Sequence, residues 1–221
     1  PQLQEAVKTM LRIPFQEGDT ILFQGDSVTD CDRDRIDSYS LGSGYPALIA
    51  AYLWSRFPDL KLKILNRGVS GDRVYDLARR WEGDCIKLKP DWISILIGIN
   101  DTWRRFDRNI ISPIEEFEKT YRQLLDQVVE HTQARLVLCE PFVLSFPVDR
   151  RAWRPDLNPR IEVVRQLAAE YSAILVPLDG IFAAACTKAE PAFWAADGVH
   201  PTLAGHGLIA KAWLEAVSDR G

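Results

Sequence analysis

The sequence predicts an α/β fold in which helices cover both faces of a parallel β-sheet. Five short apolar runs alternate with longer amphipathic stretches along the 221 residues, as in a repeated strand–helix unit. The run at residues 92–97 (WISILI) is apolar at nearly every position, which is typical of a strand buried on both faces. Because no repeat or flexible linker divides the chain, we expect one domain over residues 1–221, with residues 1–19 as an N-terminal extension.

The predicted strands are short and end at residues that favour turns. The first run is followed by Gly25, the second by Asn66-Arg67-Gly68, and the last two by a proline within two residues. The five predicted strands lie at residues 20–24, 61–65, 92–97, 135–139 and 173–176.

The predicted helices lie between these strands and after the last one. The helix predicted at residues 112–131 has the clearest start, because Ser112-Pro113 precede two acidic residues that suit the first turn of a helix. Residues 29–44 and 142–158 resist assignment, and since both follow predicted strands we expect them at the carboxyl edge of the sheet. The predicted helices span residues 45–57, 72–81, 112–131, 160–171 and 200–217.

Charge and cysteine content narrow the class of protein. With 27 Lys and Arg against 31 Asp and Glu, the net charge is −4, which offers no basic surface for nucleic acid. No apolar run approaches the roughly 20 residues of a membrane span, and we expect no signal peptide. The four cysteines lie far apart, which argues against a metal site and fits reduced thiols in the cytoplasm.

The residues best suited to chemistry follow the predicted strands. Residues 25–27 (GDS), 70–72 (SGD) and 98–101 (GIND) follow the first three strands, and residues 197–200 (DGVH) precede the last helix. Because the carboxyl ends of parallel strands meet at one edge of a sheet, we expect these four motifs to form one pocket.

Together, the four motifs contain a complete set of groups for ester hydrolysis. A serine hydroxyl needs a base to remove its proton, and Ser27 and His200 fit these two parts. Asp197, three residues before His200, can accept the second ring N–H of the imidazole. The N–H groups of Ser27 and Gly71 and the side-chain amide of Asn100 are candidates to bind the oxyanion. This chemistry needs neither a metal nor an organic cofactor.

Each motif also has an ordinary structural interpretation. Residues 25–27 and 70–72 could be simple turns, and Asn100 could cap a helix. Of the three histidines, we expect His131 to interact with a helix end and His206 to be a packing or surface residue.

A non-catalytic flavodoxin-like protein is the main alternative from another class. A phosphoacceptor receiver would use Asp26 and Asp101, but it would also need a lysine after the fifth strand, and Val176-Pro177-Leu178 supplies none. A flavin mononucleotide carrier would need a phosphate-binding loop after the first strand. Asp26 stands at that position, and its negative charge would repel phosphate. Neither protein explains His200.

The four motifs resemble those of the SGNH subgroup of GDSL esterases and lipases, which is named for its Ser, Gly, Asn and His. The resemblance extends over about residues 20–210, with Val28 in place of the usual leucine. It implies a three-layer α/β/α fold with a flavodoxin-like five-stranded sheet in the order 2-1-3-4-5. It also implies Ser27 as nucleophile, His200 as base and acid, Asp197 as its orienting partner, and Ser27, Gly71 and Asn100 as the oxyanion hole.

Longer segments are similar to intracellular acetyl xylan esterases of this superfamily. They include residues 25–31 (GDSVTDC), 97–104 (IGINDTWR) and 197–206 (DGVHPTLAGH). This resemblance implies removal of acetyl groups from xylo-oligosaccharides through an acyl-enzyme, often by a homo-oligomer. A GDSL lipase or acyl thioesterase of broad specificity remains the alternative, because family membership predicts mechanism better than substrate.

Several side chains near these motifs are candidates to bind a sugar ester. Trp103 and Trp194 offer indole faces to sugar rings, Arg104 can bind hydroxyl groups, and Asp26 is a fourth candidate. The polar loops favour a short acyl group over a lipid chain. Further candidates of the same kinds are Phe106, Trp153, Arg105, Asp30 and Asp32, whereas Trp54, Trp81, Trp92 and Trp213 are expected in the core.

Overall fold

The computed structural model describes residues 12–218, and its central feature is a five-stranded parallel sheet. The strand order β2-β1-β3-β4-β5 confirms the predicted order 2-1-3-4-5. Each predicted apolar run overlaps a strand whose ends differ from the prediction by at most two residues. The strands are β1 (Thr20–Gly25), β2 (Lys63–Asn66), β3 (Trp92–Leu96), β4 (Arg135–Cys139) and β5 (Ile174–Val176).

The helices that connect and follow the strands complete a three-layer α/β/α arrangement. They are α1 (Ser27–Asp30), α2 (Tyr45–Arg56), α3 (Val74–Asp84), α4 (Ile99–Arg108), α5 (Ile114–His131), α6 (Arg154–Glu170), α7 (Leu178–Ala185), α8 (Pro191–Trp194) and α9 (Leu203–Ser218). Short 3-10 turns occupy Pro58–Leu60, Ile86–Leu88 and Val148–Trp153.

Two apolar clusters fill the space on either side of the sheet. Helices α2, α7 and α9 cover one face, where Trp213 is fully buried, and α3, α5 and α6 cover the other with Trp81. Successive side chains of a strand point to opposite faces, so Ile21 and Phe23 of β1 join the first cluster while Leu22 joins the second. The apolar strands therefore serve two cores at once.

Three predictions about the helices and the core were incomplete or wrong. Helices α1, α4, α7 and α8 were not predicted, although the three apolar residues of α4 (INDTWRRFDR), Ile99, Trp103 and Phe106, stand at helical spacing. Helix α6 begins at Arg154, six residues before its predicted start, and continues through Pro159. Trp54 is 45% exposed because it lies on the outer side of α2, whereas Leu53 faces the core.

Part of the predicted N-terminal extension packs onto the first cluster. Residues 1–11 lie outside the described residues. The Phe15 ring is 4.9 Å from the Trp92 ring and 6.1 Å from the Trp213 ring, and it is 6% exposed. Residues 12–19 therefore extend the core rather than standing apart from it.

The two unassigned segments lie beside the motifs at the carboxyl edge of the sheet. In the first segment, the carbonyl groups of Thr29 and Leu41 accept hydrogen bonds from the Asn66 amide at the end of β2. In the second, Leu144 N–H donates to the Gly198 carbonyl at 2.8 Å. None of the helices within residues 12–218 is long and apolar enough to cross a membrane.

Candidate active site

The site lies where the strand order reverses at the carboxyl edge of the sheet. Strand β1 pairs with β2 on one side and with β3 on the other, which opens a crevice beyond their ends. Ser27 follows β1, Gly71 follows β2 and Asn100 follows β3. The topology therefore brings three distant motifs to one place, as the sequence predicts.

A tight turn after β1 places Ser27 at the start of α1. A Cβ atom on Gly25 would lie 2.3 Å from Thr29 Oγ1 and 2.5 Å from the Leu96 carbonyl, so only glycine fits. Asp26 is the N-cap of α1, and its Oδ1 accepts the Val28 N–H at 3.0 Å. The turn holds Ser27 partly exposed above the ends of the strands.

Asp197 shapes the loop that carries His200. Its Oδ1 accepts the N–H groups of Val199 and His200 at 2.9 and 2.7 Å, while its Oδ2 lies 2.7 Å from His200 Nδ1. Gly198 between them has φ +83°, a conformation that side chains rarely adopt. One carboxylate thus organises the loop backbone and orients the imidazole.

Ser27, His200 and Asp197 form a continuous chain of hydrogen bonds. Because the carboxylate of Asp197 only accepts, His200 Nδ1 carries the proton and donates it. His200 Nε2 is then free to accept the Ser27 hydroxyl, whose Oγ lies 2.9 Å away. A hydroxyl in this position can lose its proton to the ring as it attacks a carbonyl.

The hydrogen bond between Asp197 and His200 shifts the pKa values of both residues. The hydrogen bond to Asp197 raises the pKa of His200 above its ordinary value, against the opposing effects of burial and Arg150. Burial alone would raise the pKa of Asp197, but hydrogen bonds from His200 and the backbone lower it well below its usual range. Asp197 therefore stays ionised and stabilises a positive charge on the imidazole.

Aromatic and cationic side chains pack around His200 and Asp197. The Trp103 ring lies 5.6 Å from the His200 ring and 5.3 Å from the Trp153 ring. The Arg150 guanidinium lies 4.3 Å from the Trp153 ring centre, and its Nε donates to the Asp197 carbonyl at 3.1 Å. Sequence reasoning missed Arg150, because nothing in residues 142–158 indicates a contact 47 residues ahead.

The loop after β2 presents Gly71 beside a buried carboxylate. Gly71 has φ +89°, and a Cβ there would meet nothing within 4 Å, so the backbone conformation is what calls for glycine. Asp30 Oδ2 accepts both the N–H and the hydroxyl of Ser70 at 2.8 Å, which ties this loop to the end of α1. Asp30 is 3% exposed, so its carboxyl serves the loop rather than an open surface.

Asn100 is buried at the start of α4, with its amide held on both sides. Its Nδ2 donates to the Asp72 carbonyl at 3.1 Å, and its Oδ1 accepts from Arg104 Nη2 at 3.0 Å. A primary amide has two N–H bonds, so the contact with Asp72 leaves one donor for another acceptor.

Two adjoining cavities open at these residues. One of about 330 Å³ is lined by Ser27, His200 and Ser70, together with Cys31, Asp32, Pro201 and His206. The other, of about 440 Å³, includes Ser70, Gly71 and Asp72 in its wall and extends to Arg104 and Arg108. Within residues 12–218, no group of three or more His, Cys, Asp or Glu side chains is placed to hold a metal ion.

His206 is a buried packing residue, which is one of the two expectations for it. It is 4% exposed, and its Nδ1 accepts the Tyr45 N–H at 3.1 Å, so the ring proton lies on Nε2 and faces Cys31 Sγ at 3.3 Å. Burial lowers the pKa of His206 to about 4, which keeps the ring neutral. His131 lies at the end of α5, as expected, with its Nε2 3.7 Å from Glu130.

The four candidate sugar-binding residues occupy different places. Trp103 and Arg104 lie beside His200 and Asn100, respectively. Asp26 is 1% exposed and caps α1, so its carboxyl is not at the surface of either cavity. Trp194 packs against the first apolar cluster and donates its Nε1–H to the Ala185 carbonyl at 3.2 Å.

Comparison with known proteins gives consistent matches over nearly the whole chain. The model of the GDSL-like lipase/acylhydrolase family matches residues 23–208. An acetylxylan esterase of Geobacillus stearothermophilus is 36% identical over 208 residues, which cover 90% of this chain and 94% of that protein.

Solved structures agree with the sequence matches. A Parabacteroides merdae protein classed with the GDSL-like lipases has a TM-score of 0.89 and 39% identity, covering 93% of this chain and 98% of that one. Axe2, an acetylxylan esterase from G. stearothermophilus, has a TM-score of 0.83 and 35% identity, covering 92% of this chain and 95% of that one.

These matches confirm the resemblance that the four motifs indicate. The matched range contains residues 25–27, 70–72, 98–101 and 197–200, and the relatives align over most of their own length. A non-catalytic flavodoxin-like protein is therefore dropped as an alternative. The chain belongs to the GDSL-like lipase/acylhydrolase family, and it is a carboxylic ester hydrolase.

Proposed function

We propose that the protein is a serine esterase that removes short acyl groups, above all acetyl, and that acetylated xylo-oligosaccharides are among its substrates. The observation that carries this proposal is the hydrogen-bonded chain from Ser27 Oγ through His200 to Asp197. The Asn100 amide adds a donor, since it gives only one of its two N–H bonds to the Asp72 carbonyl. The similarity to an acetylxylan esterase over 90% of the chain supports the choice of substrate.

The reaction proceeds through an acyl-enzyme in two steps. Ser27 Oγ attacks the ester carbonyl while its proton passes to His200 Nε2, and the imidazolium then protonates the leaving alkoxide. In the second step, His200 takes a proton from water, the hydroxide attacks the acyl group, and Ser27 leaves with the proton returned by the ring. Asp197 stays ionised throughout and stabilises the imidazolium.

The oxyanion of both tetrahedral intermediates is bound by three donors. These are the N–H groups of Ser27 and Gly71 and the second N–H of the Asn100 amide. Fixed donors in a desolvated site are worth about 2.7–4 kcal/mol each to the transition state. Gly71 and Asn100 would gain little by binding a neutral ester carbonyl, so their contribution falls on kcat.

Polar walls support a small, hydrophilic substrate. The cavity at Ser27 includes Asp32, Ser70 and His206, and the adjoining one carries Arg104 and Arg108. Such walls offer hydrogen bonds to sugar hydroxyls and little apolar area for a long acyl chain. The Trp103 ring lies 5.6 Å from the His200 ring, which puts an aromatic side chain of the kind that binds sugars beside the proposed base.

Two measurements test the proposal. Ser27→Ala should leave the fold intact by circular dichroism and abolish hydrolysis of p-nitrophenyl acetate, and retained wild-type turnover would refute the serine mechanism. For the substrate, kcat/KM on p-nitrophenyl esters should fall steadily from acetate to octanoate, while acetylated xylo-oligosaccharides release acetate. A preference for octanoate without release from the sugar would favour the alternative, a broad lipase or acyl thioesterase.

We also propose that the enzyme works in the cytoplasm and forms a homo-oligomer. All four cysteines are free thiols, which suits a reducing compartment, and the oligomer follows from the resemblance to acetyl xylan esterases. Light scattering coupled to size exclusion would test the oligomer, since an elution mass near 25.1 kDa would mean a monomer.

A further inference from the structure

We propose that Arg104 is a positioning residue that fixes the orientation of the Asn100 amide, an inference that rests on the proposed esterase mechanism. The two side chains lie one turn apart on α4, so they share a face of the helix. Arg104 Nη2 donates to Asn100 Oδ1 at 3.0 Å. No other side chain within residues 12–218 donates to that oxygen.

A primary amide is useful in an oxyanion site in only one of its two orientations. Rotation by 180° exchanges Oδ1 and Nδ2, which would point a carbonyl oxygen at the developing negative charge. The Asp72 carbonyl only accepts hydrogen bonds and the Arg104 guanidinium only donates them. Their opposite demands select the orientation in which Nδ2 is available.

Arg104 is itself held in place, which it must be to act on a neighbour. Its Nη1 donates to the Asp107 carboxylate, one turn further along α4. Its guanidinium lies 5.5 Å from the Trp103 ring centre, and the side chain is 16% exposed. The charge of the guanidinium also polarises the amide through Oδ1, which strengthens the N–H that remains free.

Replacing Arg104 should therefore damage the chemical step more than substrate binding. We expect Arg104→Met to lower kcat on p-nitrophenyl acetate by about 10-fold with KM within about twofold, since removal of a whole oxyanion donor costs about 10²–10³. Arg104→Lys keeps a positive donor without the planar fork, so its kcat should lie between those of wild type and Arg104→Met.

A boronic acid gives a readout that a loss of packing would not reproduce. Phenylboronic acid forms a tetrahedral adduct with an active-site serine and places a negative oxygen among the oxyanion donors. Its inhibition constant should rise for Arg104→Met by about the same factor as kcat/KM falls. An unchanged inhibition constant would overturn the proposal.

A double-mutant cycle separates an effect through Asn100 from a direct effect. In an Asn100→Ala background, Arg104→Met should change kcat by less than about twofold, because the amide to be oriented is gone. A full 10-fold loss in that background, or an increase confined to KM, would mean that Arg104 contacts substrate directly and would overturn the proposal.

Arg79→Met is the matched control, because Arg79 also pairs with a carboxylate three residues away, Asp76 on α3, and lines neither cavity. Its kcat should stay within about twofold of wild type, and a loss equal to that of Arg104→Met would overturn the proposal by showing that removal of any paired arginine has the same effect. Melting temperatures establish that each variant is folded. Should Ser27→Ala keep its turnover, the proposed function itself fails, whereas an inactive Ser27→Ala with an unaffected Arg104→Met overturns only the role of Arg104.

Discussion

Replacing the buried Asp26 with asparagine should stabilise the protein at neutral and alkaline pH but not in acid. Burial raises the pKa of Asp26 to about 7, although the Val28 N–H and nearby His200 act in the opposite direction. Above this pKa the folded protein holds an ionised carboxylate at 1% exposure. Asparagine keeps an oxygen to cap α1 and carries no charge, so the cost of burial disappears.

The size of the effect follows from the pKa difference between the folded and unfolded chains. An unfolded aspartate titrates near 3.9, so the folded value of about 7 is raised by about 3 units. At about 1.36 kcal/mol per unit, Asp26 lowers the free energy of unfolding by up to about 4 kcal/mol above pH 7, and by nothing below pH 4. For a chain of this size, that corresponds to roughly 8–16 °C in melting temperature.

The assay compares melting temperatures of Asp26→Asn and wild type between pH 4 and pH 8. The difference should be near zero at pH 4, grow between about pH 4 and pH 7, where the carboxyl is ionised in the unfolded chain but not in the folded one, and level off above about pH 7. Asp37→Asn is a suitable control, because Asp37 Oδ1 also accepts an N–H two residues on, from Tyr39 at 2.9 Å, but in an exposed loop.

A difference in melting temperature that stays constant with pH would refute this reasoning. It would mean that Asp26 has the same charge in the folded and unfolded chains at every pH from 4 to 8. Burial would then not raise the pKa of this carboxyl. The same conclusion would follow if Asp37→Asn showed an equally large dependence on pH.

The remaining predictions concern the imidazole and the core. Since the hydrogen bond to Asp197 raises the pKa of His200, and only neutral His200 can act as a base, wild-type kcat/KM should fall as pH drops through that raised pKa. Asp197→Asn should move this acid limb to lower pH while reducing kcat, and an unmoved limb would contradict the role of His200. Trp213→Ala should lower the free energy of unfolding by about 3–5 kcal/mol in urea titrations, because the indole is fully buried. Trp54→Ala, at a 45% exposed position, should lower the free energy of unfolding by about 1 kcal/mol or less. Equal losses for Trp213→Ala and Trp54→Ala would contradict the dependence on burial.

Local sequence patterns were sufficient to predict the strands of the sheet and part of the candidate site. Strands β1 to β5 were predictable because apolar, β-branched runs bounded by turn residues have few other stable arrangements. Asp197 and His200 could be paired from their spacing alone, since three residues form a single turn. Helix α4 was missed because only three of its ten residues are apolar, although these three, Ile99, Trp103 and Phe106, stand at helical spacing.

By itself, the sequence determined the order of strands and helices, the four motifs at their ends and the family of the enzyme. Only the tertiary structure decided that Asp26 is buried, that Arg150 reaches the Asp197 carbonyl, that His206 faces Cys31 and that Arg104 donates to the Asn100 amide oxygen. The physical reason is that secondary structure and turns depend on near neighbours in the chain, which a sequence displays directly. Burial, pKa and side-chain orientation depend instead on groups that folding brings together from distant positions.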